Sequence, residues 1–257
     1  DHFRRIYCNA EGDLNPEVRT QTGYLLALRN DLLLPERRPA AVAALKQKII
    51  DNGYKLSTGF VGSCILNEVL AEFGENDLAY SLLLQTENPS WLYSVHQGAT
   101  TIWERWNSYT KETGFGDVGM NSFNHYAYGA VQEWMYRHIA GIETTEQAPG
   151  FAHPILQPKP YTRSAEEIPA GQEKITWVRT SFASPVGLIE SAWDMTDGFT
   201  YTCRVPVAAT LHLPLIGNAE TLVINGVAHK PDEFRLCPVG KGVTIELAPG
   251  AYTIEQK

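Results

Sequence analysis

The chain has 257 residues, enough for one large domain or two ordinary ones, and for a sizeable core. Its hydrophobic share of 44% and charged share of 19% are those of a soluble globular protein. A net charge of −8 argues against nucleic acid or an anionic membrane as partner, since that field attracts neither. No apolar run approaches the ~18 residues of a membrane span.

Cys8, Cys64, Cys203 and Cys237 show no CxxC spacing, which excludes a zinc ribbon and a dense disulfide framework and predicts buried free thiols. The histidines have no mutual spacing that suggests metal binding, and no H-E-x-x-H occurs. A G-x-S-x-G elbow is absent, and G-F-G-D-V-G lacks the preceding strand of a nucleotide loop. The opening D-H-F-R-R-I-Y-C-N-A reads like the inside of a helix and its exit, with no signal peptide. The compartment is therefore undetermined, because any export signal would lie upstream.

Leu25, Leu28 and Leu32 recur at i, i+3, i+7 and predict a helix over Thr20–Leu34, ended by Pro35. A second, Pro39–Asp51, carries Val42, Leu45 and Ile49 on one stripe and closes at Asn52-Gly53. After the loop L-S-T-G-F-V-G, Ser63 is the predicted N-cap of a helix that buries Ile65, Leu66, Val69, Leu70 and Phe73, with Gly74 at its end. Asn76 caps another with Leu78, Ala79, Leu82 and Leu83 inward, and Pro89-Ser90 starts a short one around Trp91. Beyond a loop to Asn121, a long helix is predicted from Ser122 to Ala140, with Ala127, Val131 and Trp134 on one face and Gly141 as terminator. About six helices in pairs suit a bundle, a solenoid or an α/α toroid.

Then the pattern changes. Pro149, Pro154, Pro158, Pro160 and Pro169 mark an extended crossing. Alternating stretches follow, such as K-I-T-W-V-R-T-S-F-A and F-T-Y-T-C-R-V-P, with turn signals at Asp197-Gly198, Asn225-Gly226 and Pro249-Gly250. About eight short antiparallel strands imply a β-sandwich, so the expected division is 1–145 helical and 146–257 sandwich. Trp193 and His212 are assigned to sheet-face packing.

Chemistry concentrates in Ala99–Asn107, A-T-T-I-W-E-R-W-N, where Glu104 stands between Trp103 and Trp106 with Arg105 alongside. Aromatic rings grip the C–H faces of sugars, and a carboxylate beside them suits glycosidic bond cleavage. The same residues would also suit a surface ion pair next to two core tryptophans. His125 follows 21 residues later, in the first turn of the predicted last helix, where the macrodipole disfavours protonation. A neutral imidazole there can serve a sugar hydroxyl, or it can be a hydrogen-bonded structural histidine.

The motifs T-Q-T-G-Y-L-L-A-L, S-T-G-F-V-G, L-L-L-Q-T-E-N-P-S-W-L-Y, Q-G-A-T-T-I-W-E-R-W-N and M-N-S-F-N-H-Y-A-Y-G-A-V occur in this order. Together they resemble the C-terminal part of bacterial α-L-rhamnosidases, inverting glycoside hydrolases with an (α/α)6 barrel followed by a β-sandwich. The likeness is specific over Thr20–Ala140 and looser in the strands. It implies a partial (α/α)6 toroid, with Glu104 as the general base that activates water. His125 matches a histidine that contacts the bound rhamnose, and Trp103 and Trp106 flank the pocket. Phe60, Trp103 and Trp106 are candidates for the wall against the sugar's methyl group.

In that family the general acid lies upstream, in the first half of the barrel, so the resemblance implies a base-bearing portion that is inactive alone. Glu112, Asp117 and Glu133 are near in sequence, and nothing marks any of them as the acid. The implied partners are α-L-rhamnosides of plant glycosides or polysaccharide side chains, with no nucleic acid, membrane, metal or cofactor. Exposed helix flanks would pair with the absent half-barrel or self-associate. Rival readings are a non-catalytic carbohydrate-binding or assembly module and another (α/α)6 glycoside hydrolase or lyase.

Overall fold

In the computed structural model, which describes residues 2–119, 121–238 and 240–257, the chain forms two units. One comprises the chain up to Gln132 together with Arg163–Glu173. The other comprises Glu133–Thr162 with Lys174–Lys257.

The first unit holds α1 (His2–Tyr7), α2 (Gln21–Arg29), α3 (Arg38–Asp51), α4 (Phe60–Glu72), α5 (Asn76–Leu83) and α6 (Trp91–His96). Leu25, Leu28, Leu45, Ile49, Leu66, Val69, Leu78 and Leu82 are buried where α2 to α5 pack on one another. The T-Q-T-G and S-T-G-F-V-G motifs interlock. Gln21, buried, donates from Nε2 to the Lys55 carbonyl at 3.2 Å and accepts from the Ser57 amide at 2.9 Å. At Gly62 a Cβ would lie 2.6 Å from Thr22 Oγ1 and 2.8 Å from Thr58 Cγ2, so only glycine lets α4 approach this closely. Segment 163–173 returns to this unit, where Arg163 and Gln172 donate to the hydroxyl and carbonyl of Ser81 at 3.1 and 2.8 Å.

Several predicted boundaries differ from the observed ones. α2 stops at Arg29, because Asp31 adopts φ +52° and the Leu32 amide bonds back to the Ala27 carbonyl at 2.9 Å. Ser63 is not an N-cap: α4 starts at Phe60, and Ser63 is buried with its hydroxyl 2.7 Å from that of Thr58. The long helix is shorter than predicted. It begins at Ala127 as a 3-10 turn, becomes α-helical at Val131–Trp134 and ends in a π-helical turn, Met135–Ile139. His125 therefore precedes the helix and does not sit in its first turn. A small hairpin, β1 (Tyr109–Thr110) with β2 (Gly114–Phe115), occupies what reads as loop.

In the second unit β3 (Ile142–Glu143), β4 (Ile155–Leu156), β8 (Ala209–Pro214), β12 (Gly242–Leu247) and β11 (Arg235–Leu236) make a five-stranded sheet. A six-stranded sheet runs in the order β10 (Val227–His229), β9 (Leu222–Ile224), β13 (Gly250–Gln256), β7 (Phe199–Val205), β6 (Gly187–Asp194) and β5 (Trp177–Ser184). All pairings are antiparallel except β4 with β8, since the Pro-rich crossing brings β4 in beside β8 running the same way.

Ile189, Trp193, Tyr201 and Ile254 from one sheet, and Leu211, Leu213, Val243 and Ile245 from the other, are buried. Trp193 is 1% exposed and donates Nε1–H to the Ile139 carbonyl at 2.8 Å, while Ser191 Oγ donates to that of Ala140 at 2.6 Å. These bonds satisfy carbonyls at the end of the π-turn. Gly141 follows at φ +74°, and a Cβ there would fall 2.1 Å from the Gln157 backbone. His212 meets Thr244 across β8 and β12 at 3.1 Å, a sheet-face contact. Of the cysteines only Cys203 is buried; Cys8, Cys64 and Cys237 are half-buried.

Candidate active site

The candidate site lies in the first unit, on irregular backbone. The Glu104 amide donates to the Ser122 carbonyl and the His125 amide to that of Ile102, each at 2.8 Å. These two bonds hold residues 122–125 against 102–104, which is why the helix cannot start at Ser122. The Ser122 amide donates to Glu104 Oε2 at 2.8 Å. A carboxylate accepting a backbone N–H is fixed in direction by a group that no side-chain motion can withdraw.

The two tryptophans part company. Trp103 is 7% exposed and packs edge-on against Phe123 (5.4 Å between centroids) and Tyr109 (6.4 Å), anchoring the loop. Trp106 is half-buried and stacks on Tyr128 at 3.8 Å with 18° between planes. Trp91 meets Trp106 edge-on at 5.4 Å and donates Nε1–H to the Tyr128 carbonyl at 2.8 Å, while Ser94 Oγ donates to the Trp106 carbonyl at 2.9 Å. A rigid aromatic slab results.

His125, half-buried, stacks on Phe60 at 4.5 Å with 16° between planes and on Tyr126 at 5.7 Å with 6°. The Ala127 amide lies 3.4 Å from His125 Nδ1 as donor, so in the neutral ring the proton resides on Nε2. Cys64 Sγ donates to the Ala127 carbonyl at 3.2 Å and ties α4 to the same turn. Burial pushes the Tyr128 phenol up, with Cys64 and the charge of Glu104 adding to the effect. The Glu104 carboxylate is thus close enough to act electrostatically on the ring that stacks on Trp106.

Trp106 and Phe60 both meet Tyr128, and His125 stacks on Phe60; Glu104 bears on Tyr128 only through its charge, whereas Trp103 packs beneath the loop. The sequence marks neither Tyr128 nor Ser122 as a site residue. The M-N-S-F-N-H-Y-A-Y-G motif holds both, yet nothing in their spacing distinguishes them from neighbours. Glu112 and Asp117 are exposed, and Asp117 is engaged by the Gly119 amide at 2.8 Å. Glu133 belongs to the second unit and pairs with Arg137 at 3.3 Å. Among the described residues no three or more His, Cys, Asp or Glu side chains are grouped to hold a metal, and no helix is long and apolar enough to cross a membrane.

This cluster can orient a water on one carboxylate, present an apolar slab to a ring, and offer an imidazole N–H to a hydroxyl. Residues 1–139 match the bacterial alpha-L-rhamnosidase 6 hairpin glycosidase domain, and residues 141–227 the bacterial alpha-L-rhamnosidase C-terminal domain. An alpha-L-rhamnosidase of Formosa agariphila is 44% identical over 83% of this chain, and one of an Alteromonas species is 43% identical over 79%. The crystal structure of Streptomyces avermitilis alpha-L-rhamnosidase complexed with L-rhamnose matches all of the chain at 33% identity with a TM-score of 0.82. The chain spans 22% and 21% of the two relatives' lengths, and 23% of the Streptomyces chain.

Proposed function

Because the chain belongs to the bacterial α-L-rhamnosidase family, we propose that it is the base-bearing C-terminal portion of an enzyme that removes terminal α-L-rhamnosyl groups with inversion. Glu104 takes a proton from water as the oxygen attacks the anomeric carbon. The observation that carries this reading is the Glu104 carboxylate held by the Ser122 amide beside the Trp106–Tyr128 slab. His125 presents Nε2–H to a sugar hydroxyl, with Phe60 stacked behind it. Phe60 and Trp106 offer the deoxy sugar's methyl group an apolar wall, and Trp103 sets the loop from below.

Inversion needs a second carboxyl group, protonated and roughly 6.5–9.5 Å from the first, to protonate the departing oxygen. The solvent exposure of Glu112 and Asp117 favours an acid from the upstream part that the longer relatives possess. Residues 1–145 would then contribute half of the catalytic barrel and 146–257 a supporting sandwich. Val61 and Val95, exposed apolar side chains on helices of the first unit, would be covered by upstream helices or by a second copy.

The test joins this segment to the upstream part of a relative and follows cleavage of an aryl α-L-rhamnoside by NMR. β-L-Rhamnose forms first, and Glu104→Gln lowers kcat by about 10²–10⁴-fold with the fold retained. A variant within about tenfold of the parent would remove Glu104 from the role of base. Rhamnose binding without any turnover in the parent would instead support a non-catalytic module. Family membership leaves the readings as another (α/α)6 glycoside hydrolase or a lyase without support.

A further inference from the structure

On the second unit, the outer face of the six-stranded sheet carries a groove of about 460 Å³. The register explains it. Arg179, Ala192 and Thr202 form one cross-strand row, and Trp177, Asp194 and Thr200 the next. A methyl group between an arginine and a threonine leaves a trough over three strands, and the β6–β7 turn closes one end with Asp197. The Trp177 indole, 57% exposed, stands outside the groove's own lining, opposite Asp194 in the ladder, with the Arg179 guanidinium of that lining 5.7 Å from its ring centroid.

The chemistry of this rim is selective. One cation and two carboxylates leave it net negative, which disfavours a uronate, phosphate or nucleic-acid strand. The amide of Thr196 donates to Asp194 at 2.8 Å. Together with the Thr196 hydroxyl and the nearby Arg179 charge, it holds the Asp194 carboxyl below the usual carboxylate range. Asp194 is thus a fixed acceptor, Arg179 a fork of donors, and Trp177 an apolar plane that suits the C–H face of a pyranose. A neutral polyhydroxylated ring uses all three; an apolar peptide leaves the polar pair unmet.

We propose that this groove is a non-catalytic binding site for neutral pyranose units of a glycan. It does not depend on Glu104, which the other unit carries. The isotope-labelled 257-residue chain is titrated with a neutral rhamnan tetrasaccharide, β-1,4-galactotetraose and tetragalacturonate, while backbone amide resonances are followed. At least one neutral probe should shift Arg179, Asp194 to Gly198 and Thr200 in the millimolar range or tighter, and tetragalacturonate should not. Trp177→Ala and the groove-filling Ala192→Trp should each weaken that binding by about tenfold or more. Glu104→Gln should leave it unchanged, so loss of the hydrolytic role would not touch this result. Silence of these amides with both neutral probes, equal binding of tetragalacturonate, or unchanged affinity in both folded groove variants would overturn the proposal.

Discussion

The Glu104 loop and the six-stranded sheet hold their aromatic residues by different means. In the sheet, Trp193 and Tyr201 are consecutive partners in a ladder whose register runs unbroken from Glu190↔Arg204 to Asp194↔Thr200. Around Glu104 few repeating bonds exist. Two backbone bonds, one amide-to-carboxylate bond and a stack of rings fix every side chain that matters. A ladder resists change because each residue is pinned by its neighbours' pairing. A loop cluster is pinned only by its own contacts, and this leaves a carboxylate directed yet reachable by solvent.

That contrast can be broken most severely at Trp193. Trp193→Ala empties a core position and strands the Ile139 carbonyl, so the chain should lose about 3–5 kcal/mol, measured by denaturant unfolding with a probe in the sheet. A loss below about 1 kcal/mol would mean that the ladder does not depend on its core ring. In the helical unit the comparable weak point is a gap. Gly62→Ala forces a methyl group against Thr22 and Thr58 and should cost about 1–3 kcal/mol, read as a lower unfolding midpoint of the α2–α4 pair. An unchanged midpoint would show that the two helices can part without penalty.

A smaller, pH-dependent difference sharpens the comparison. Burial pushes the Cys203 thiol up to about 12 from an ordinary 9.0, and burial likewise raises the neighbouring Tyr201 phenol well above its usual range. Both are neutral when protonated, so above the unfolded-state value the unfolded chain releases protons that the folded sheet retains. The contribution is complete below about pH 9 and falls as pH climbs towards 12, by at most about 1.4 kcal/mol per pH unit for each group. Unfolding midpoints taken at rising pH should decline more gently in Cys203→Ala than in the parent. Equal slopes would argue that the thiol ionises without opening the sheet.

How far the sequence could be read follows the same division. Leu32 continues a 3.6-residue stripe and lengthens the predicted helix, yet it lies beyond the helix end, after a left-handed Asp31, with its amide bonded back to the Ala27 carbonyl. Periodicity cannot tell a last helical residue from one that folds back onto the last turn. Ser63 carries the composition of a cap but spends its hydroxyl on Thr58 inside the packed α2–α4 contact. The start at Ser122 failed for a third reason: its carbonyl is taken by the Glu104 amide, 18 residues earlier. Only this last miss traces to a partner distant in sequence; the first two turn on contacts five residues away.

By itself the sequence determined the helix stripes, the strands, the turn signals and the motif order that identifies the family, because each rests on local spacing or on residue identity. Tertiary structure alone decided that Trp103 lies beneath the loop while Trp106 faces Tyr128, that His125 stands on Phe60 ahead of its helix, and that Ala192 opens a trough in the sheet. Those are meetings between segments far apart along the chain, and a ring's or carboxylate's surroundings come from what folding brings against it.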